Sequence, residues 1–218
     1  MTASLHTLGG GRDAGLYYVN DPNREARPYA RDEYYIRDGG GVWWSTGETI
    51  VRHNAEIDKE TFRDLCAGLD PTTGKPLVRG SGPGHRAGWD ITFSAPKSVS
   101  VLWMAGDAGQ RDMLHELHRA AVDDALRFLV HERLVEVRLG AGGYIREAPV
   151  DVIVGRFDHF TSREGDGNIH THSVLMNVAG CRERNKYRTL EPEKLFEFQV
   201  VVGAAYSGGR VRRETGGR

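Results

Sequence analysis

Cysteine is nearly missing from this 218-residue chain: Cys66 and Cys181 stand far apart and form no C-x-x-C pair. That excludes a disulfide framework and a cysteine zinc site, and it suits a reducing cytoplasm. Long apolar runs are missing too, since no stretch approaches the roughly 20 residues needed to cross a bilayer. The opening Met1-Thr-Ala-Ser-Leu-His has neither the basic nor the apolar region of a secretory signal. Neither charge dominates: 29 Lys+Arg against 30 Asp+Glu give a formal net charge of −1. Any phosphate-binding surface must therefore be a local patch. The phosphate loop G-x-x-x-x-G-K-[ST] is absent, because Gly74-Lys75 is followed by Pro76. A nucleotide-driven motor is not encoded here.

What is present is the composition of a folded domain with many loops. Hydrophobic residues at 39% and charged residues at 27% are ordinary globular values and argue against disorder. Glycine, 28 of 218 residues, is nearly double the usual ~7% share, so turns and long connections are expected.

Residues 2–8 read as a short strand, Arg12 to Val19 as one or two helical turns, and Asn20 to Gly47 as a loop with aromatic anchors. Residues 58–68 read as a helix stopped at Gly68, and 69–88 as a long connection rich in turn residues. Trp89 to Phe93 alternates like a strand. Ser94-Ala95-Pro96 has the form of a helix start with serine as cap, for a helix to about Met104. From Asp107 to Glu132, Met113, Leu114, Leu117, Ala120, Ala121, Ala125, Phe128 and Leu129 make a stripe of 3.6-residue period. His115 and His118 fall outside that stripe and read as surface residues. Strands are expected at Leu134–Leu139, Val150–Phe160 and Ile169–Ala179, with a last helix from about Pro192 to Tyr206.

The informative stretch runs from Asp151 to Val178. Two alternating apolar strands flank Gly165-Asp166-Gly167-Asn168, a strong hairpin signal. Side chains repeat every second residue, so Ile153, Phe157 and His159 share one face of the first strand. His170, His172, Val174 and Met176 share a face of the second. If the hairpin closes around residue 165, His159 stands opposite or diagonal to His170 and His172. Three imidazoles then converge on one ion. The alternative reading is three strand histidines satisfied by hydrogen bonds or solvent. A three-histidine site with open coordination positions points to catalysis rather than structure.

His170-Thr-His172 after a hairpin, with an upstream histidine and tyrosines near the N-terminus, resembles the HUH endonucleases. The segment Gly88-Trp-Asp-Ile-Thr-Phe-Ser-Ala-Pro-Lys-Ser-Val-Ser100 strongly resembles the D-x-T-F-S-A-P-K-S-V-S segment of conjugative relaxases of the TrwC/TraI (MobF) type. Arg156-Phe-Asp-His-Phe-Thr-Ser-Arg-Glu164 with the His-Thr-His resembles that family's histidine motif in order and spacing. Tyr17-Tyr18 and Tyr34-Tyr35 resemble its two tyrosine pairs. These motifs span residues 17 to about 206.

The resemblance implies an α+β, palm-like fold: a mainly antiparallel central sheet with helices packed on one face. It implies a bacterial, cytoplasmic, metal-dependent nicking-and-joining enzyme acting on single-stranded or hairpin DNA of a plasmid transfer origin, with other relaxosome proteins as possible partners. The family's relaxase domain usually continues further, often into a helicase. The expected organisation here is a C-terminally truncated relaxase domain over 1–206 and a disordered Gly/Arg-rich tail over 207–218. The alternatives are a rolling-circle replication initiator, a truncated DNA-binding module that does not cut, and a three-histidine zinc hydrolase of small molecules.

Each role then has a chemical reason. A tyrosine with pKa near ~10 is a weak nucleophile at neutral pH until it is activated. By resemblance Tyr17 is the first nucleophile and Tyr34 the second, with Tyr18 and Tyr35 packing or assisting. His159, His170 and His172 are the metal ligands, for one divalent ion that could be Mg²⁺, Mn²⁺ or Zn²⁺. Asp90 orients a ligand histidine or accepts the tyrosine proton. Lys97, Arg156 and Arg163 are candidate DNA contacts. Trp43, Trp44 and Trp89 are either base-stacking platforms or core anchors.

Overall fold

The computed structural model describes residues 3–15, 40–139, 145–162, 166–183 and 186–215. Tyr17, Tyr18, Tyr34, Tyr35 and Arg163 lie outside the described residues. The first half contains β1 (Ala3–Thr7), a single 3-10 turn (Arg12–Gly15), β2 (Val42–Ser45), α1 (Lys59–Cys66), β3 (Gly88–Ser94) and α2 (Lys97–Ala105). There follow α3 (Ala108–His131), β4 (Glu136–Leu139), β5 (Ile145–Glu147), β6 (Asp151–Thr161) and β7 (Gly167–Gly180). The chain goes on through β8 (Tyr187–Arg188), β9 (Leu190–Glu191), α4 (Glu193–Glu197) and α5 (Gln199–Thr215).

Among the described residues the main sheet runs in the order β1-β3-β7-β6-β2, with β8 added to the far end of β7. Every pairing in it is antiparallel. β4 holds β5 and β9 in a smaller antiparallel sheet. Alternation then divides the side chains between two cores. On one face Trp89, Ile91, Phe93, Val152, Val154 and Leu175 pack on Ala121, Val122, Leu126 and Leu129 of α3 and on Val202 and Tyr206 of α5. On the other, Trp43, Ile153, Phe157, Val174 and Met176 pack on Phe62, Leu65 and Cys66 of α1. The long helices lie behind one face, as a palm-like α+β fold requires, and the short α1 covers part of the opposite face. No helix among the described residues is long and apolar enough to cross a membrane.

The helices begin where their sequences supply caps. Asp58 accepts from Thr61 N at 2.8 Å at the start of α1, and Asp107 forms a capping box with Gln110 at the start of α3. Gly68, at φ 72°, closes the α1 turn against Val78 and His85, which agrees with the expected stop.

Four expectations are corrected. Trp43 and Trp44 are not on a loop but in β2, and they are buried with Trp89 in the cores, so none presents a face to a base. Ser94 does not cap α2: it is the last residue of β3, paired with His170, and Pro96 is the cap position. The last helix breaks at Phe198 and then continues to Thr215, past the predicted end at Tyr206. Buried Tyr206 docks this helix on the core, and Ser207 Oγ donates to Gly203 O at 3.1 Å. His118 is buried rather than on the surface. It lies three, four and seven residues before Ala121, Val122 and Ala125, which places it on the same inward stripe, disguised by its polarity.

Gly88 controls the approach of β3 to β7. Its φ is 151°, and a Cβ there would sit 2.0 Å from the Leu175 carbonyl oxygen. Strain and clash together should cost Gly88→Ala about 3 kcal/mol or more. Urea denaturation should show a lower midpoint with an unchanged slope; a midpoint equal to the wild type would contradict this packing.

Candidate metal centre

The site stands at one end of the main sheet, where the face that packs on α1 runs out of apolar side chains. β6 and β7 pair so that His159 is directly opposite His170, and His172 is opposite Phe157. Below them Phe157, Val174 and Met176 belong to the α1-side core, which sets the three rings on a rigid floor. The ring centroids form a nearly equilateral triangle: 5.2 Å for His159–His170, 5.1 Å for His159–His172 and 5.2 Å for His170–His172. One nitrogen from each ring lies within 4.8 Å of the others. Nitrogens sharing one tetrahedral ion at ~2.1 Å would stand roughly 3.4 Å apart, so small ring rotations close the gap. The donor set and spacing fit one metal ion.

The protonation pattern suits that fit. Burial, then the neighbouring His172 and His170, push the His159 pKa down to about 3, so the ring is the neutral form that ligates metals. His172 Nδ1 is 2.6 Å from Asp90 Oδ2 and 3.1 Å from Thr92 Oγ1. A carboxylate only accepts, so that Nδ1 carries the proton and Nε2 offers its lone pair. His170 Nδ1 likewise donates to the Asn168 carbonyl at 2.9 Å, again leaving Nε2 as the donor atom. Two ligands thus have their ring orientation set from behind. His159 and His170 are buried, and His172 keeps 13% of its side chain exposed.

Asp90 and Thr92 reach the site from β3 because residues two apart share a face. Thr92 pairs directly with His172 across β3–β7, and its hydroxyl donates to Asp90 Oδ2 at 3.3 Å. Asp90 is buried. Thr92 was missed in the sequence, although its place two residues after Asp90 was a readable signal. Lys97, in the first turn of α2, is mostly exposed. It reaches the hairpin end, donating to Gly167 O at 3.3 Å and standing 3.8 Å from Asp166.

Arg156 is not on this face. Even-numbered positions of β6 turn toward α3, and there the buried guanidinium pairs with Asp123 and donates to Asn54 Oδ1 at 2.8 Å. The DNA contact expected at Arg156 is therefore replaced by an internal ion pair. Asp158 and Thr171 share that rear face, and Thr171 Oγ1 donates to Asp158 Oδ1 at 2.6 Å. Burial alone would raise the Asp158 carboxyl, but hydrogen bonds from His115 and Thr171 outweigh it and hold the group well below the ordinary carboxylate range.

Comparison with known proteins agrees with this geometry. The family model described as TrwC relaxase matches residues 12–209. The multifunctional conjugation protein TraI of Escherichia coli (strain K12) is 33% identical over 209 residues, covering 92% of this chain. The chain spans only 11% of the length of that relative. The solved metal-bound conjugative relaxase TrwC in complex with oriT DNA superposes with a TM-score of 0.73 at 28% identity, covering 98% of this chain and 70% of that one. TrwC complexed with a 27-mer DNA comprising the recognition hairpin and the cleavage site gives a TM-score of 0.72 at 26% identity, covering 98% of this chain and 69% of the other. A three-histidine cluster at the end of an antiparallel hairpin and a family match across nearly the whole chain lead to one conclusion: this chain belongs to the TrwC relaxase family.

Proposed function

We propose that this chain is a metal-dependent, site- and strand-specific nickase and transesterase of single-stranded DNA, acting at the origin of a plasmid's conjugative transfer. One observation carries the reading: three imidazoles converge at a sheet end with Asp90 behind one of them, in a chain of the TrwC family. The solved relatives hold oriT DNA, which supports transfer-origin DNA with its recognition hairpin as the substrate. Relaxosome proteins are the partners that fit this role.

In the proposed reaction a tyrosine hydroxyl oxygen attacks the scissile phosphorus and the P–O3′ bond breaks. The phenolic proton leaves, the departing 3′ oxygen gains one, and the products are a 5′-phosphotyrosyl protein and a free 3′-OH. The phosphodiester bond energy stays in the covalent link, so rejoining needs no ATP. Tyr17 is the first nucleophile and Tyr34 the second, with Tyr18 and Tyr35 beside them. A divalent ion held by His159, His170 and His172 would draw charge from a non-bridging phosphate oxygen. Mg²⁺, Mn²⁺ and Zn²⁺ all suit that role. Asp90 fixes the His172 tautomer and orientation, and Lys97 and Arg163 supply positive charge to the DNA backbone.

The direct test is incubation with Mn²⁺ and a panel of single-stranded transfer-origin oligonucleotides, followed by a denaturing gel. A DNA-linked protein band should form, disappear with chelator, return with added metal, and fall sharply in Tyr17→Phe. Absence of the band across the panel, or an undiminished band in Tyr17→Phe/Tyr34→Phe, would overturn the reading.

Asp90 touches a histidine rather than the cluster's centre, so Asp90→Asn should still take up metal. Its cleavage rate at saturating metal should fall about 10- to 100-fold. Loss of metal uptake in that variant would show that Asp90 is itself a ligand.

A further inference from the structure

Behind the histidine triad, on the opposite face of the sheet, lies a second polar chain that the proposed chemistry does not use. Asp158 and Thr171 are directly opposed across β6 and β7. Asp158 immediately precedes His159, and Thr171 is the one residue between His170 and His172. Their side chains point away from the triad by strand alternation and meet α3 and α5.

The hydrogen bonds there have one consistent direction. The Asp158 carboxylate only accepts, so Thr171 Oγ1–H donates to Oδ1 at 2.6 Å. The Thr171 oxygen therefore accepts from His118 Nε2–H at 2.8 Å. With that proton on Nε2, His118 Nδ1 accepts, and Tyr206 O–H donates to it at 2.8 Å. The other carboxylate oxygen, Asp158 Oδ2, takes His115 Nε2 at 3.0 Å and Arg119 Nε at 3.5 Å. Tyr206, His118 and Thr171 are almost wholly buried. A network satisfied in one direction at low dielectric is stiff, and an alternative register would strand several buried polar groups.

Resting on the metal-dependent reading above, we infer that the Tyr206–His118–Thr171–Asp158 relay is a positioning device for the metal centre: it locks the β6–β7 register, and hence the spacing of all three ligands, from the rear face. The residues act through the strand backbone, and none of them touches the triad's open side. A core that only needed filling could use apolar residues here, as Ala121, Val122, Ala125, Leu126 and Leu129 do on the neighbouring inward positions of α3.

The test uses Co²⁺ as a spectroscopic probe of the site, with wild type, Thr171→Val, Thr171→Ser, Tyr206→Phe and a control, Ser45→Ala. Ser45 is a buried hydroxyl bonded to Asp151 at 2.9 Å between β2 and β6, at the end of the sheet away from the triad. Co²⁺ titration, the visible absorption of the loaded site and the melting of the metal-free chain are measured for each. Thr171→Val should lose about 10- to 100-fold in Co²⁺ affinity and shift the Co²⁺ bands, while Thr171→Ser restores both. Tyr206→Phe keeps its tilted ring contact with Phe93 and should move affinity and spectrum in the same direction by less. If Thr171→Val does not fold, the Tyr206→Phe result decides. Ser45→Ala should melt lower with the wild-type affinity and spectrum. Wild-type Co²⁺ binding and spectrum in Thr171→Val and Tyr206→Phe, with lowered melting alone, would overturn the inference and leave the metal reading standing. Failure of the wild-type chain to take up Co²⁺ would overturn both.

Discussion

The pairing of β6 with β7 is the constraint on which the rest of this structure depends. Because strand side chains repeat every two residues, a one-residue slip would send His159 to the α3 face and Asp158 to the α1 face. The observed register places His159 against His170 and Phe157 against His172. It also places apolar Val154 and Leu175 under the long helices and Ile153 and Val174 under α1. One register thus satisfies two cores and one polar site. The burial of Leu, Val and Ile side chains on both faces, roughly 1.5–3 kcal/mol for each large residue, opposes any slip.

The same sheet separates two kinds of work. On the triad face, Asp90 and Thr92 from β3 fix the His172 ring, and the Asn168 carbonyl fixes His170, so both rings have their orientation set from behind the site. On the rear face, charge is closed off internally: Arg156 with Asp123, and Asp158 with His115 and Arg119. A buried charge without a partner would cost several kcal/mol, which explains why these side chains bind the protein rather than a ligand. The exposed Lys97 at the hairpin end has no such burden.

Much of this was legible in the chain. The triad followed from two-residue alternation and a glycine-rich hairpin, and α3 followed from its apolar stripe and its Asp107 cap. Asp90 was singled out through the resemblance of its segment, and its side chain lies against His172. What stayed hidden was the direction in which polar residues point. His118 and Arg156 look like surface residues by type, yet each sits at an inward position of its helix or strand, and only the packed partners Tyr206 and Asp123 reveal it. Trp43 and Trp44 were hidden for the converse reason: glycine-rich flanks suggest a loop, while pairing with β6 makes a strand. The helix beyond Tyr206 is a tertiary outcome, since the docking of its first turns carries a weak helix former onward.

X-ray absorption on the metal-loaded chain tests the central claim most directly. The geometry predicts three imidazole nitrogens at about 2.1 Å around one ion, with the remaining positions held by water or phosphate oxygen. A shell with fewer than two imidazoles, or one dominated by protein carboxylate, would contradict a site built by this hairpin.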